Sequence, residues 1–205
     1  MKLKINKTGL AIAFLTSFGL IARAQQPPYP ELPYGVHPGT VTTLEGQTIQ
    51  GYVINKDNST DQSKNYNNQK ECVFYTDYKD NRSRSVYHPS DLAGYSIENN
   101  LYKSLNYSGN IGFGKASKNF IYLAKAGAVS TYLYRAPEEQ IFWQKGNEEP
   151  VSNASMFLSF KKSILKLVGD NADIAEKIER KEKGYSMLYL TQIIDEYNAA
   201  ASSQK

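Results

Sequence analysis

The residues with chemical potential in this 205-residue chain are few and scattered. Cys72, His37 and His88 are its only thiol and imidazole groups. Metal-assisted hydrolysis needs three or four such donors on a rigid frame, usually in closely spaced pairs. His37 lies among prolines and His88 precedes Pro89, with no HExxH-type spacing, so no metal ligand is assigned. Cys72 sits in the apolar, β-like run Glu71-Cys72-Val73-Phe74-Tyr75. A thiol–imidazole dyad with His88 across a hairpin is one reading. A buried, inert thiol is the favoured one, because a free cysteine behaves as a small hydrophobe. With a single cysteine, no intrachain disulfide forms.

Other motifs fall short of their patterns. Gly94-Tyr95-Ser96-Ile97-Glu98 and Tyr107-Ser108-Gly109 miss the Gly-x-Ser-x-Gly nucleophile turn. Gly109, Gly112 and Gly114 lack the Lys-Ser/Thr that follows a phosphate-cradling loop. Asn55, Asp57, Ser59 and Asp61 place oxygens at alternate positions, as a calcium loop does. Its required glycine and final glutamate are replaced by Thr60 and Tyr66, however. Glu45, Asp77, Asp91 and Glu98 lie near strand ends, and spacing alone brings no two of them together as a glycosidase pair. No catalytic, cofactor or metal residue is therefore assigned, and the chain reads as a binder more than an enzyme.

The elements that would position these groups begin after a leader. Lys2, Lys4 and Lys7 precede an apolar run over 10–21, and Ala22-Arg23-Ala24 supplies a small-x-small site. This reads as a Sec signal peptide over residues 1–24, cut between Ala24 and Gln25. The apolar run is too short to span a bilayer, which takes roughly 20 residues. Four of the 24 Lys and Arg (Lys2, Lys4, Lys7, Arg23) belong to the leader. The remainder carries 20 cations against 20 acids, net zero. Nucleic-acid binding needs a cationic face, so none is expected, and no membrane span either.

Residues 25–38 hold Pro27, Pro28, Pro30, Pro33 and Pro38 and read as an extended tether. A β-rich domain over 39–147 follows. Its hairpin signals are 41–44 with 48–54, 72–78 with 84–88, and 120–123 with 129–134, and further strands read at 95–97, 101–107 and 141–144. The asparagine-rich stretch 55–69 reads as an exposed loop. Sixteen tyrosines suit half-buried strand faces, or a surface that stacks on a partner or sugar.

The last part, 148–201, reads as two to three helices packed on the sheet. Ser152 or Asn153 caps the first, with Phe157, Phe160, Ile164, Leu165 and Val168 as one buried stripe. Ile174 and Ile178 mark the second, and residues 185–201 form the third. The expected class is α+β, an antiparallel sheet or partial barrel of six to eight strands followed by these helices.

Three stretches stand out together: Gly46-x-x-Ile49-x-Gly51-Tyr52-Val53; then Tyr87-His88-Pro89-Ser90-Asp91-Leu92-x-Gly94-Tyr95; then Phe120-x-x-Leu123-x-x-x-Gly127. With Val73-x-Tyr75, Leu133-Tyr134 and the helical C-terminus, they resemble small exported proteins of uncharacterised function from Bacteroidota-type Gram-negative bacteria. The resemblance carries no functional residues over. It implies the periplasm or cell envelope as location, since type IX cargo in such bacteria ends in a β-sandwich rather than helices. Tyr87, Pro89, Asp91 and Gly94 read as a fold-defining turn. The functional expectation is an envelope accessory factor with a protein partner. The alternative is a glycan or small-ligand binder, or weak hydrolase, using a face of tyrosines and Trp143. Oligomeric state is not legible.

Overall fold

Alternating apolar residues separated by short polar turns build two antiparallel meanders that share one sheet. The computed structural model describes residues 31–56, 67–107, 117–135 and 139–203. The leader with Ala24 and Gln25, most of the tether, Asp57, Ser59 and Asp61, and Gly109, Gly112 and Gly114 lie outside the described residues. Leu32–Lys205 forms one compact unit.

The first meander contains β1 (Val36–Thr43), β2 (Thr48–Ile54), β3 (Cys72–Tyr75) and β4 (Arg84–Tyr87). The second contains β5 (Leu92–Ile97), β6 (Asn100–Asn106), β7 (Lys118–Lys125), β8 (Val129–Arg135), β9 (Glu139–Lys145) and β10 (Val151–Ser152). The sheet order is β10-β9-β8-β7-β6-β5-β1-β2-β3-β4, so β5 returns to pair with β1. Ten strands replace the expected six to eight. Each stretch with a strand signal forms a strand, and β10, only two residues long, is too brief to show an alternation. β1 also starts at Val36, inside the proline-rich stretch. Pro38 is accommodated there, its carbonyl accepting the Glu98 N–H at 2.8 Å.

The sheet must curl at β5-β1-β2-β3-β4. Laid flat, β4 and β5 would stand about 19 Å apart at ordinary strand spacing. His88 to Asp91 alone join them, and that link folds on itself, with Asp91 N–H on the His88 carbonyl at 2.9 Å. Four residues cannot stretch that far and also turn. The module instead rolls into an unclosed half-barrel around Val41, Val53, Cys72, Phe74, Leu92, Tyr95, Ile97 and Phe120. Gly51 permits one of the close approaches: a Cβ there would meet the Phe74 ring at 2.5 Å and the Tyr75 carbonyl at 2.3 Å.

The β8–β9 register divides the second meander into two faces. Tyr132 opposite Phe142 points one way, packing with Ile121 and Tyr134. The Tyr107 ring stacks on Phe142 at 4.0 Å and meets Tyr134 edge-on at 5.5 Å. Val129 and Trp143 point the other way, into the helices α2 (Asn153–Leu158), α3 (Phe160–Val168), α4 (Ala172–Glu179) and α5 (Leu190–Ser202). Met156, Ile164, Leu167, Val168, Ile174, Ile178, Ile193 and Ile194 complete that core. Four helices thus stand where two to three were expected. The difference is a break at Ser159, whose φ of −150° and ψ of 64° are non-helical.

Candidate functional site

The most polar part of the interior comes from the stretch read as an exposed loop. Its end folds into a single helical turn, α1 (Asn67–Lys70), tucked against β7 and joining both halves of the sheet. Asn68 and Gln69 are 1% and 3% exposed. Asn68 accepts the Lys56 N–H at 2.9 Å and donates to the Asn55 side chain at 2.8 Å, while its own carbonyl receives the Tyr95 hydroxyl at 2.6 Å. The Gln69 amide accepts the Arg135 N–H at 2.7 Å and donates to the Arg135 carbonyl. Lys70 donates at 2.7 Å to the buried Asn119, which in turn donates to the Tyr107 carbonyl at 2.8 Å. Lys56 also donates to Glu71, and that hydrogen bond holds the Glu71 carboxyl below its usual range.

A second carboxamide repeats the device at the other end of β8. Asn198 of α5 accepts the Val129 N–H at 2.8 Å and donates to the Val129 carbonyl at 2.9 Å. Val129 and Arg135 share a parity on β8, so their backbone groups both point away from β9. Each amide stands in for a missing partner strand. These groups satisfy one another, which makes the network a brace.

Two potentially reactive groups behave similarly. Cys72 faces the half-barrel core, with Tyr87 opposite it across β3 and β4. His88, one residue on, is exposed, and its backbone N–H is held by the Asp91 carboxylate at 2.7 Å. The thiol and imidazole therefore diverge, and the dyad reading is corrected: strand alternation sends them to opposite faces. Burial pushes the Cys72 thiol up to about 12. A thiol alkylating reagent at pH 8 should label it at the rate of global opening only. Burial also raises Tyr107, Tyr132 and Tyr134 above the usual phenol value. The folded state holds all four protons more tightly than the unfolded chain. The Cys72 contribution is complete below about pH 9 and drains away as pH rises toward 12, and the raised tyrosines add to that loss in alkali. A thermal-melt series over that range should show a steady fall, which a flat profile would contradict.

His37 lies on β1, and its Nδ1 meets the Glu98 carboxylate at 2.8 Å. Its Nε2 is out of solvent with no hydrogen-bond partner among the described residues. A relay would need a nucleophile at that nitrogen. Glu98 opens the two-residue loop between β5 and β6 at φ +52°, the left-handed region. Replacing it with glycine relieves about 1–2 kcal/mol of backbone strain. The replacement also adds about 0.5–1 kcal/mol of chain entropy and removes a pair worth about 0–1 kcal/mol. Glu98→Gly should lie within about 1 kcal/mol of wild type in urea unfolding, since these terms largely cancel, and Glu98→Val well below it, since a β-branched residue tolerates positive φ poorly.

The tyrosines mostly pack. Tyr95, Tyr132, Tyr134 and Tyr197 are buried, and Tyr95 stacks on Tyr102 at 4.8 Å. Trp143 is 7% exposed, its ring beneath the helices, and offers no stacking surface. Of the acidic residues, Asp91 caps its turn by accepting the His88 N–H, which lowers its pKa. Pro89 is buried, and its carbonyl accepts the Ser104 hydroxyl. Tyr87 packs against the half-barrel core, and Gly94 runs against the Tyr102 carbonyl.

The fold leaves several apolar side chains in water, Tyr34, Leu44 and Leu188 among them, and two more at an elbow between α2 and α3. Ser152 caps α2 by accepting the Ser155 N–H at 3.2 Å, and Met156 anchors it in the core. At Ser159 the chain turns back, so that the buried Ser163 hydroxyl donates to the Ser155 carbonyl at 2.9 Å. This rotation carries Phe157 out of the stripe it would share with Ile164 and Val168 in a continuous helix. Phe157 is 76% and Leu158 82% exposed. Beside them Ser159, Phe160, Lys161, Lys162 and Leu165 line an open groove of about 420 Å³. Spacing alone showed the apolar residues but not the break that exposes them. The chain matches no protein-family model, no curated protein and no solved structure.

Proposed function

We propose that this chain is a non-enzymatic accessory factor of the cell envelope, exported by the Sec route, which works by docking to an envelope component. The observation that carries the reading is the α2–α3 elbow. Phe157 and Leu158 stand adjacent and exposed on a turn anchored by Met156 in the core and by Ser163 on Ser155. Leaving two such side chains in water forgoes about 1.5–3 kcal/mol each relative to burial. Single exposed hydrophobes are ordinary, but neighbouring ones beside an open groove mark an interaction site. The leader and the proline-rich stretch that follows it support the address.

Fractionating cross-linked cells tests this. The chain from Gln25 onward should stay with the envelope, and Phe157→Ser with Leu158→Ser should release it. A wild-type chain that fractionates as free protein would overturn the reading. So would purified protein that turns over a defined substrate and loses that activity through a point substitution.

A further inference from the structure

We propose that the elbow docks on an anionic phospholipid surface, with Phe157 and Leu158 entering the headgroup–acyl boundary and Lys162 and Lys166 binding headgroup phosphates. This rests on the docking reading above and names its partner.

Three observations converge on lipid. First, the apolar pair protrudes at the end of a short helix instead of lining a recess, with Phe157 and Leu158 among the most exposed apolar side chains described. Protruding aromatic and aliphatic residues suit a fluid, compliant phase. Second, the elbow is acid-free: between Glu149 and Asp170 the chain holds Lys161, Lys162 and Lys166 and no Asp or Glu. Lys161 is partly neutralised by Glu179 of α4, whereas Lys162 and Lys166 have no ion-pair partner among the described residues. Third, α3 turns Ser163, Ile164, Leu167 and Val168 inward, which sends Lys162 and Lys166, one turn apart, outward together. A cationic outer face beside an apolar tip matches a negatively charged headgroup layer over hydrocarbon. The chain without its leader is net neutral, so attraction would come from this local patch.

Vesicle co-sedimentation with the purified chain from Gln25 onward, which keeps the whole compact unit Leu32–Lys205, tests the inference. Wild type should bind vesicles containing phosphatidylglycerol and bind pure phosphatidylcholine weakly. Phe157→Ser with Leu158→Ser should lower affinity by about tenfold or more, from lost apolar insertion. Lys162→Gln with Lys166→Gln should cost about tenfold on anionic vesicles and little on neutral ones. All four side chains are exposed, so unchanged melting curves should accompany both variants. Equal binding to both vesicle types, or undiminished binding by the serine variant, would overturn the inference. No vesicle binding, with elbow-dependent retention in the envelope fraction, would make the occupant an envelope protein; the docking reading would stand and the lipid inference fall. Failure of both assays would retire both.

Discussion

Gly94→Ala should destabilise the protein by about 3 kcal/mol, the upper end for overpacking, or abolish folding. A Cβ at this position would lie 2.4 Å from the Tyr102 carbonyl oxygen and 3.4 Å from the Lys103 Cα. Both obstacles are backbone, fixed by the β5–β6 ladder that pairs Gly94 with Lys103. No rotamer can relieve them; one strand must move. β5 cannot give, because it is also paired with β1, Thr42 lying opposite Gly94. It carries Tyr95 and Ile97 into the half-barrel core as well. The strain would therefore reach both sides of the curl. Urea unfolding of Gly94→Ala beside Asp91→Ala separates the sources. Asp91→Ala loosens only the turn and should give a smaller drop. That turn depends on a carboxylate whose pKa is lowered. Its contribution is present above the ordinary aspartate range and is lost as pH falls through the lowered value. A Gly94→Ala midpoint equal to wild type would show that the strands are not held as described.

Gln69→Leu should cost about 2–4 kcal/mol, although leucine is close in volume and fully apolar. The Gln69 carboxamide serves both the N–H and the carbonyl of Arg135, where β8 has no neighbour on its β7 side. Replacing it leaves two backbone groups facing an apolar side chain, and each unsatisfied buried group costs about 1–3 kcal/mol. Burial of the leucine side chain offsets part of that penalty, which keeps the net cost below the full loss at two groups. Native-state hydrogen exchange gives the specific readout: the Arg135 amide should lose protection while Tyr132 and Leu133 keep theirs. Asn198→Leu is the matching change at Val129. It should have a smaller effect, since Asn198 is only partly buried. Retained Arg135 protection in Gln69→Leu would mean the amide does not hold that strand end.

Local patterning carried much of the architecture. Alternation of small apolar runs with polar turns marked the hairpins around Glu45-Gly46, 79–82 and Ala126-Gly127, because strand periodicity and turn chemistry are short-range properties. The switch to helical spacing after residue 152, a cap at Ser152 or Asn153 and the stripe through Ile164 and Val168 were legible for the same reason, and the structure selects Ser152 as the cap. So was the packing of most tyrosines, which follows from their preference for half-buried strand faces.

The decisive features depend on contacts between distant residues. Gln69 with Arg135 and Asn198 with Val129 lie 66 and 69 positions apart. Nothing in an asparagine-rich stretch says that Asn68 and Gln69 will be buried, Gln69 as a strand surrogate. His37 and Glu98, 61 positions apart, meet because β1 pairs with β5. Cys72 and His88 part because alternation sends one inward and the other out. Phe157 is the sharpest case. Its spacing assigned it to the core, and the turn at Ser159, pinned by Ser163 on Ser155, placed it in water. Composition and period determined which elements form, since those preferences act over a few residues. Tertiary structure decided which side chains they leave exposed, since burial is a property of the assembled surface, and on that surface the proposed function rests.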